Sequence, residues 1–207
     1  MATGSGARSK TAERILDIAE RLVQTRGFNG FSYADISAQL GITKASLHYH
    51  FATKDELGAM LITRYRDAFV DALRAIDGEG ESSLHKLNAY VKLYEDVLRR
   101  DRMCLCGMLA AENRTLSREM QTLVHGFFDA NERWLATVVD RGRANGELRF
   151  SGSAVDQARL LVVALEGAML VARGCGEPAR FTVAAARLLD QLTIASPPRA
   201  GRRSRAP

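Results

Sequence analysis

Thr43-Lys44-Ala45-Ser46-Leu47-His48-Tyr49-His50-Phe51, running on into Ala52-Thr53-Lys54-Asp55-Glu56-Leu57, reads as a short, exposed helix with a signal at each end. Thr43 is placed to cap the backbone N–H groups that a first helical turn leaves unpaired. Only Leu47 and Phe51, four residues apart on one face, are strongly apolar. The remaining positions point outward and carry one cation (Lys44), two small groups (Ala45, Ser46), two imidazoles (His48, His50) and a phenol (Tyr49). That mixture suits base edges and phosphates, so the segment is expected to be a DNA-recognition helix.

The residues upstream supply what such a helix packs on. From Thr11, apolar residues Ile15, Leu16, Ile18, Ala19, Leu22 and Val23 recur at helical spacing with charged residues opposite, and Gly27 stops the pattern. Ser32 with Asp35 resembles a capping box opening a short helix through Ile36 and Leu40. Gly41 and Ile42 then turn the chain into Thr43. Long helix, short helix, glycine turn and exposed helix is the pattern of a three-helix helix-turn-helix domain. A second box, Thr53 with Glu56, opens a longer helix through Leu57, Met60, Leu61, Tyr65, Phe69 and Leu73 that links this domain to the body.

Gly27-Phe28, Tyr33-Ala34-Asp35-Ile36, Leu40-Gly41-Ile42, Ser46 to Phe51 and Lys54-Asp55-Glu56-Leu57 together resemble the N-terminal signature of TetR-type transcriptional regulators over about the first 60 residues. The resemblance implies an all-α homodimer of about nine helices. Its parts are an N-terminal three-helix helix-turn-helix domain and a helical C-terminal ligand-binding and dimerisation domain. It also implies that Tyr49, His50 and Lys54 contact phosphates while Lys44, Ala45, Ser46 and His48 face base edges, with Tyr33 and Thr43 in the same DNA-facing set. Expected divisions are a flexible N-terminus (1–10), the DNA-binding domain (11–56), an effector-binding and dimerisation domain (57–195) and a disordered basic tail (196–207).

Downstream the pattern stays helical. Gly78-Glu79-Gly80 reads as a loop; Leu84, Leu87, Tyr90, Val91, Tyr94, Val97 and Leu98 mark one amphipathic helix, and Leu123 to Val139 stripe a long one ending near Asn145-Gly146. No β-alternation persists. Ser153 with Asp156 opens a segment whose centre, Leu160 to Leu165, is apolar on every face, so one side packs on its own domain and the other needs a partner. By resemblance the last two long helices form a four-helix dimer bundle. Leu161, Ala164, Gly167, Ala168, Leu188 and Leu192 are its candidate residues.

The charge distribution agrees with a nucleic-acid reader. Residues 1–54 hold 7 Lys and Arg against 4 Asp and Glu, residues 55–196 hold 18 against 20, and residues 197–207 hold 4 Arg and no acid. Positive charge at the ends of a faintly acidic body favours DNA as the partner. No apolar run approaches the roughly 20 residues of a membrane span, Met1 to Lys10 lacks a secretory signal's apolar core, and three sparse cysteines fit a reducing compartment. A cytoplasmic, membrane-free protein is expected, with no cofactor.

Cys104-Leu105 followed by Leu109-Ala110-Ala111-Glu112 resembles a subgroup of TetR-type repressors that sense electrophiles or oxidants through the cysteine at the Cys104 position. Arg99, Arg100 and Arg102 lie near enough in sequence to favour a thiolate, and Arg173 occupies the place where the subgroup carries a cation that partners the cysteine. A buried, merely structural cysteine is the competing reading. The effector pocket is expected from Tyr90, Tyr94, Met103, Cys104, Met108, Phe127, Phe128, Trp134, Glu166, Met169 and Arg173. Glu166 and Arg173, seven residues apart in an apolar helix, are expected on one face. No metal site is expected: His48 and His50 diverge along a helix, and the cysteines follow no ligand-spacing rule. Two other classes, a thiol-dependent enzyme using Cys104 with His125 and an effector-independent DNA binder, have no motif behind them.

Overall fold

A computed structural model describes residues 9–78 and 82–193. Among the described residues nine α-helices and one 3₁₀ turn account for the architecture, in the order α1 (Lys10–Arg26), α2 (Tyr33–Leu40), α3 (Lys44–His50), α4 (Lys54–Gly78), α5 (Ser83–Leu98), α6 (Leu105–Ala111), a 3₁₀ turn (Asn113–Thr115), α7 (Arg118–Ala144), α8 (Ala154–Gly174) and α9 (Ala179–Asp190). The only β-type pairing among them is a single antiparallel bridge between Leu148 and Thr193. The fold is all-α, as the apolar periodicity predicts.

Each early boundary has a local cause. Ser9 accepts from the Ala12 N–H and opens α1, so Ser9 and Lys10 are ordered parts of a helix start rather than part of a flexible N-terminus. Expectations for residues 1–8, for 79–81 and for the basic tail from Ser196 lie outside the described residues. Ser32 and Asp35 complete the capping box of α2, and Gly41 closes that helix in the left-handed region (φ 67°), which costs glycine nothing sterically. Thr43 accepts from the Ser46 N–H at 3.1 Å to start α3. Thr53 caps Glu56, while the Glu56 carboxylate reaches back to the Ala52 N–H at 3.0 Å.

Helices α1 to α3 enclose Ile15, Leu16, Ala19, Val23, Ile36, Leu47 and Phe51. Leu47 is fully buried, and truncating it to alanine is expected to cost about 2–5 kcal/mol. This core is continuous with that of the body, where α4, α5, α7, α8 and α9 pack around Leu61, Tyr90, Phe127, Leu165 and Phe181. A further tie crosses the surface. Arg64 on α4 reaches Asp17 (2.7 Å), Glu20 (2.8 Å) and Glu13 (3.3 Å) on α1.

Candidate DNA interface and effector groove

The reader surface is formed by α3 and the N-terminal end of α2. Tyr49 is 86% exposed, and Lys44, Ala45 and His48 are exposed beside it. A crevice of about 370 Å³ lies between the two helices, lined by Phe31, Ser32, Tyr33, Ala34, Lys44, His48 and Lys54. Two cations beside the start of a helix suit a phosphate. His48 stacks at 4.8 Å on the Tyr33 ring, and its Nδ1 sits 3.1 Å from the Ala52 carbonyl. With Nδ1–H donating to that carbonyl, Nε2 is left facing outward. His50 makes an edge contact with Tyr49.

Two members of the expected DNA-facing set are otherwise engaged. Tyr33 is 8% exposed, and its hydroxyl is directed at the Phe51 (3.0 Å) and Thr53 (2.6 Å) carbonyls, bracing the hinge between α3 and α4. Burial, then the nearby Glu56 charge, pushes its pKa up to about 12. The Lys54 ammonium donates to the Phe28 (2.6 Å) and Phe31 (2.5 Å) carbonyls and lies over both phenyl rings. Lys54 therefore holds the loop between α1 and α2, with one N–H left for a phosphate. The resemblance put both residues in the DNA-facing set; their contacts here come from the loop between α1 and α2 and from the hinge between α3 and α4.

In the body, most of the expected pocket is filled core. Tyr90, Tyr94, Phe127 and Met169 are each at most 3% exposed. Tyr90 stacks on Trp134, whose Nε1–H donates to Asp77 at 2.9 Å. Phe69 meets Tyr90, Tyr94 and Phe127 edge-on. These rings leave the open space elsewhere, in a groove of about 500 Å³ between α6, α7 and α8. Of the expected residues, Met103, Met108, Phe128 and Glu166 line it; Gly107, Ala110, Ala111, Glu132, Val162, Val163 and Leu170 were missed, and Gly167 was expected at the dimer face. Their signal was the small and apolar spacing on α6 and α8, which looks the same in a packed core.

Cys104 lies behind the groove wall, 3% exposed. Its sulfur accepts from the Gly107 N–H at 3.4 Å and caps α6, its own N–H points at the Met169 sulfur at 3.2 Å, and the Tyr65 hydroxyl is 3.9 Å from Sγ. Burial, then the neighbouring Glu166 carboxylate, pushes the thiol pKa well above its ordinary value. The expected arginine assistance is absent for a geometric reason. Arg99 pairs with Asp96 and Glu95 on the outer face of α5, and Arg100 and Arg102 line a separate crevice with Asp17, Glu20 and Arg64.

Arg173 also departs from expectation. It partners neither Cys104 nor Glu166; its guanidinium donates to the carbonyls of Gln24 (3.0 Å), Thr25 (3.1 Å) and Asp101 (3.5 Å). A cation on the last carbonyls of α1 is favoured by the helix dipole. Two more contacts join the same region to the groove. The Met103 N–H donates to the Gln24 carbonyl at 3.1 Å, and Glu112, at the end of α6, accepts from the Phe28 (2.6 Å) and Asn29 (3.3 Å) N–H groups. The floor of the groove is thus tied to the C-terminal end of α1.

The dimer candidates also redistribute. Leu161 and Leu192 are buried within the chain, and Ala164, Ala168 and Leu188 are half-buried; Gly167 is exposed. The 3.6-residue period turns 161, 165, 169 and 172 inward, so Leu160, Val163, Leu170 and Val171 form the outward apolar face of α8, with Val155 nearby and Val183 on α9. An exposed apolar face of this kind marks an interaction surface.

Comparison with known proteins agrees with this architecture. Residues 15–59 match the family described as bacterial regulatory proteins, tetR family. The chain is 26% identical over 167 residues to the HTH-type transcriptional repressor NemR of Escherichia coli, covering 79% of this chain and 84% of NemR. It is 27% identical over 168 residues to the HTH-type transcriptional regulator LmrA of Bacillus subtilis, covering 77% and 84%. The structure of reduced E. coli NemR superposes with a TM-score of 0.77 at 25% identity, over 90% of this chain and all of that one. A TetR-family transcriptional regulator from Agrobacterium tumefaciens superposes with a TM-score of 0.86 at 33% identity, covering 88% of this chain and 97% of that one. With a helix-turn-helix reader, an outward apolar face on its last two helices and a relative a third identical along almost its whole length, the chain belongs to the TetR family of transcriptional regulators, which bind operator DNA and dimerise.

Proposed function

We propose that this regulator is a cytoplasmic repressor released from its operator when a small molecule occupies the groove between α6, α7 and α8. Residues 11–56 form the reader, and 57–195 form the effector-binding and dimerisation unit. The observation that carries the proposal is the set of ties from the groove to α1: Met103 and Arg173 on Gln24, and Glu112 on Phe28 and Asn29. An occupant that separates α6 from α8 strains these ties, turns α1 and carries α3 with it. Two recognition helices of a dimer must sit about 34–36 Å apart to read successive major grooves, so a displacement of a few ångströms weakens binding. The helix that follows Thr53 links the reader to the body and is one lever; the ties add a direct route beside it. Leu160, Val163, Gly167, Leu170 and Val183 form the dimer face, so a second copy also covers the groove's outer wall. Lys44, Ala45, Ser46 and His48 read bases, while Tyr49 and His50 position the phosphates.

A second input is supported by the place of Cys104. Its sulfur caps α6 in a filled core, so any adduct on Sγ displaces the segment that holds Gln24. Because the resting thiol is buried and protonated, such a reagent reacts only when the groove wall opens. Footprinting of the chain's own upstream region tests the proposal. Protection that disappears with a groove ligand supports it, and protection indifferent to every groove ligand opposes it. Release by N-ethylmaleimide from wild type but not from Cys104→Ser assigns the thiol input.

A further inference from the structure

We infer that the groove between α6, α7 and α8 selects an amphiphilic amine, an apolar body carrying one ammonium group that pairs with Glu166. The inference rests on the groove being the effector site and names the class of molecule it takes.

The groove is apolar except at one place. Met103, Met108, Phe128, Val162, Val163 and Leu170 form its walls, and among the described residues Glu132 and Glu166 are its only charged lining, with no Lys, Arg or His. Glu132 is already paired, with its Oε2 3.4 Å from Arg159 Nε. Glu166 is only partly satisfied: its Oε1 is buried without a hydrogen-bond partner.

The neighbouring hydroxyls leave Oε1 without a donor. Asn131 Nδ2–H donates to the Phe127 carbonyl, so Asn131 Oδ1 accepts the Tyr90 proton at 3.0 Å. Tyr90 has one proton, so the single Tyr94 proton is shared between Tyr90, at 3.1 Å, and Glu166. The Tyr94 hydroxyl and the weak Cys104 thiol are the donors beside the carboxylate, and neither reaches Oε1. Arg173, the cation of the same helix, is held on α1. Burial accordingly raises the Glu166 carboxyl pKa to about 7.

The backbone makes room for this arrangement. A Cβ on Gly107 would collide with Oε2 of Glu166, so glycine there lets the carboxylate lie against the first turn of α6. A buried carboxylate oxygen that lacks a donor is costly, and an ammonium brought in by the ligand supplies both charge and N–H groups. The apolar walls supply the remaining contact area, in a volume within the usual range for small-molecule sites.

Calorimetric titration of the full-length dimer at pH 8 with 4-phenylbutylamine, 4-phenylbutan-1-ol and 4-phenylbutyrate tests this. The amine is expected to bind about tenfold or more tightly than the alcohol, and the acid is expected not to bind. Glu166→Gln should abolish the preference for the amine over the alcohol. Gly107→Ala, which displaces the carboxylate, should reduce it. At pH 5.5 the preference should shrink, because the amine stays charged while Glu166 takes up its proton. Equal binding of amine and alcohol, an unchanged preference in Glu166→Gln of confirmed fold, or no binding by the amine would overturn the inference. Operator release, read separately by gel shift, distinguishes the two levels. An amine that binds without releasing DNA keeps the site and removes the effector reading, whereas release by other compounds with no amine binding does the reverse.

Discussion

The guanidinium of Arg173 donates to the main-chain carbonyl of Gln24 at 3.0 Å, joining the end of α8 to the end of α1 across 149 positions of sequence. One side chain thereby ties the helix that carries Glu166 to the helix on which the DNA reader is built. Arg173→Ala is expected to lower stability by about 1–2 kcal/mol, the loss of a charge-assisted bond at a half-buried site. It should leave ligand affinity in the free protein unchanged, and thermal melts with ligand titrations check both.

Glu112 is the counterpart on α6. Glu112→Ala removes the acceptor for the Phe28 and Asn29 N–H groups and should destabilise by roughly 1.5–3 kcal/mol. Glu112→Gln keeps an acceptor without the charge and should fall between. Denaturant unfolding of the three proteins gives the order.

Tyr49 and Lys54 should separate DNA contact from structure. Tyr49 is exposed, so Tyr49→Ala should move stability by no more than about 0.5 kcal/mol while weakening operator binding across sequences. Lys54 bonds two carbonyls of the loop between α1 and α2, so Lys54→Ala should lower the melting temperature as well as DNA affinity. A reduced salt slope of binding for Lys54→Ala would show that its third N–H reaches a phosphate. An unchanged slope would make its role wholly internal.

Glu166 gives a pH signature. Its carboxyl pKa rises from 4.5 to about 7 on folding, so the folded state holds the extra proton between those values. The associated stability is full below pH 4.5 and is lost as pH rises through 7. Wild type should lose on the order of 2–3 kcal/mol relative to Glu166→Gln between pH 5 and pH 8. Parallel melting curves for the two proteins across that range would contradict it.

The reader was legible in the sequence because its determinants are local. Ser32 with Asp35, Gly41 and Thr43 fix helix ends through neighbours three or four residues away, and Leu47 and Phe51 show which face is buried. The candidate effector groove was legible only in part. Met108, Phe128 and Glu166 are lining residues, but periodicity could not say that Tyr90, Tyr94 and Phe127 fill one another's space rather than a ligand's. Arg173 was placed on the face of Glu166 by a seven-residue spacing. Its long side chain instead reaches α1, a contact that depends on how two distant helices meet. The run from Leu160 to Leu165 showed a helix apolar on every side but not which residues turn outward: Leu161 is buried, whereas Leu160 and Gly167 are exposed.

The central claim, that groove occupancy reaches the reader through the ties on α1, is tested most directly by operator affinity with and without a saturating groove ligand. The comparison is wild type against the Arg173→Ala/Glu112→Ala double variant. Wild type is expected to lose operator affinity by roughly 5- to 150-fold on ligand binding, with DNA weakening the ligand by the same factor. The double variant should bind ligand normally and lose little of its operator affinity. A double variant that retains the full wild-type loss would contradict the account.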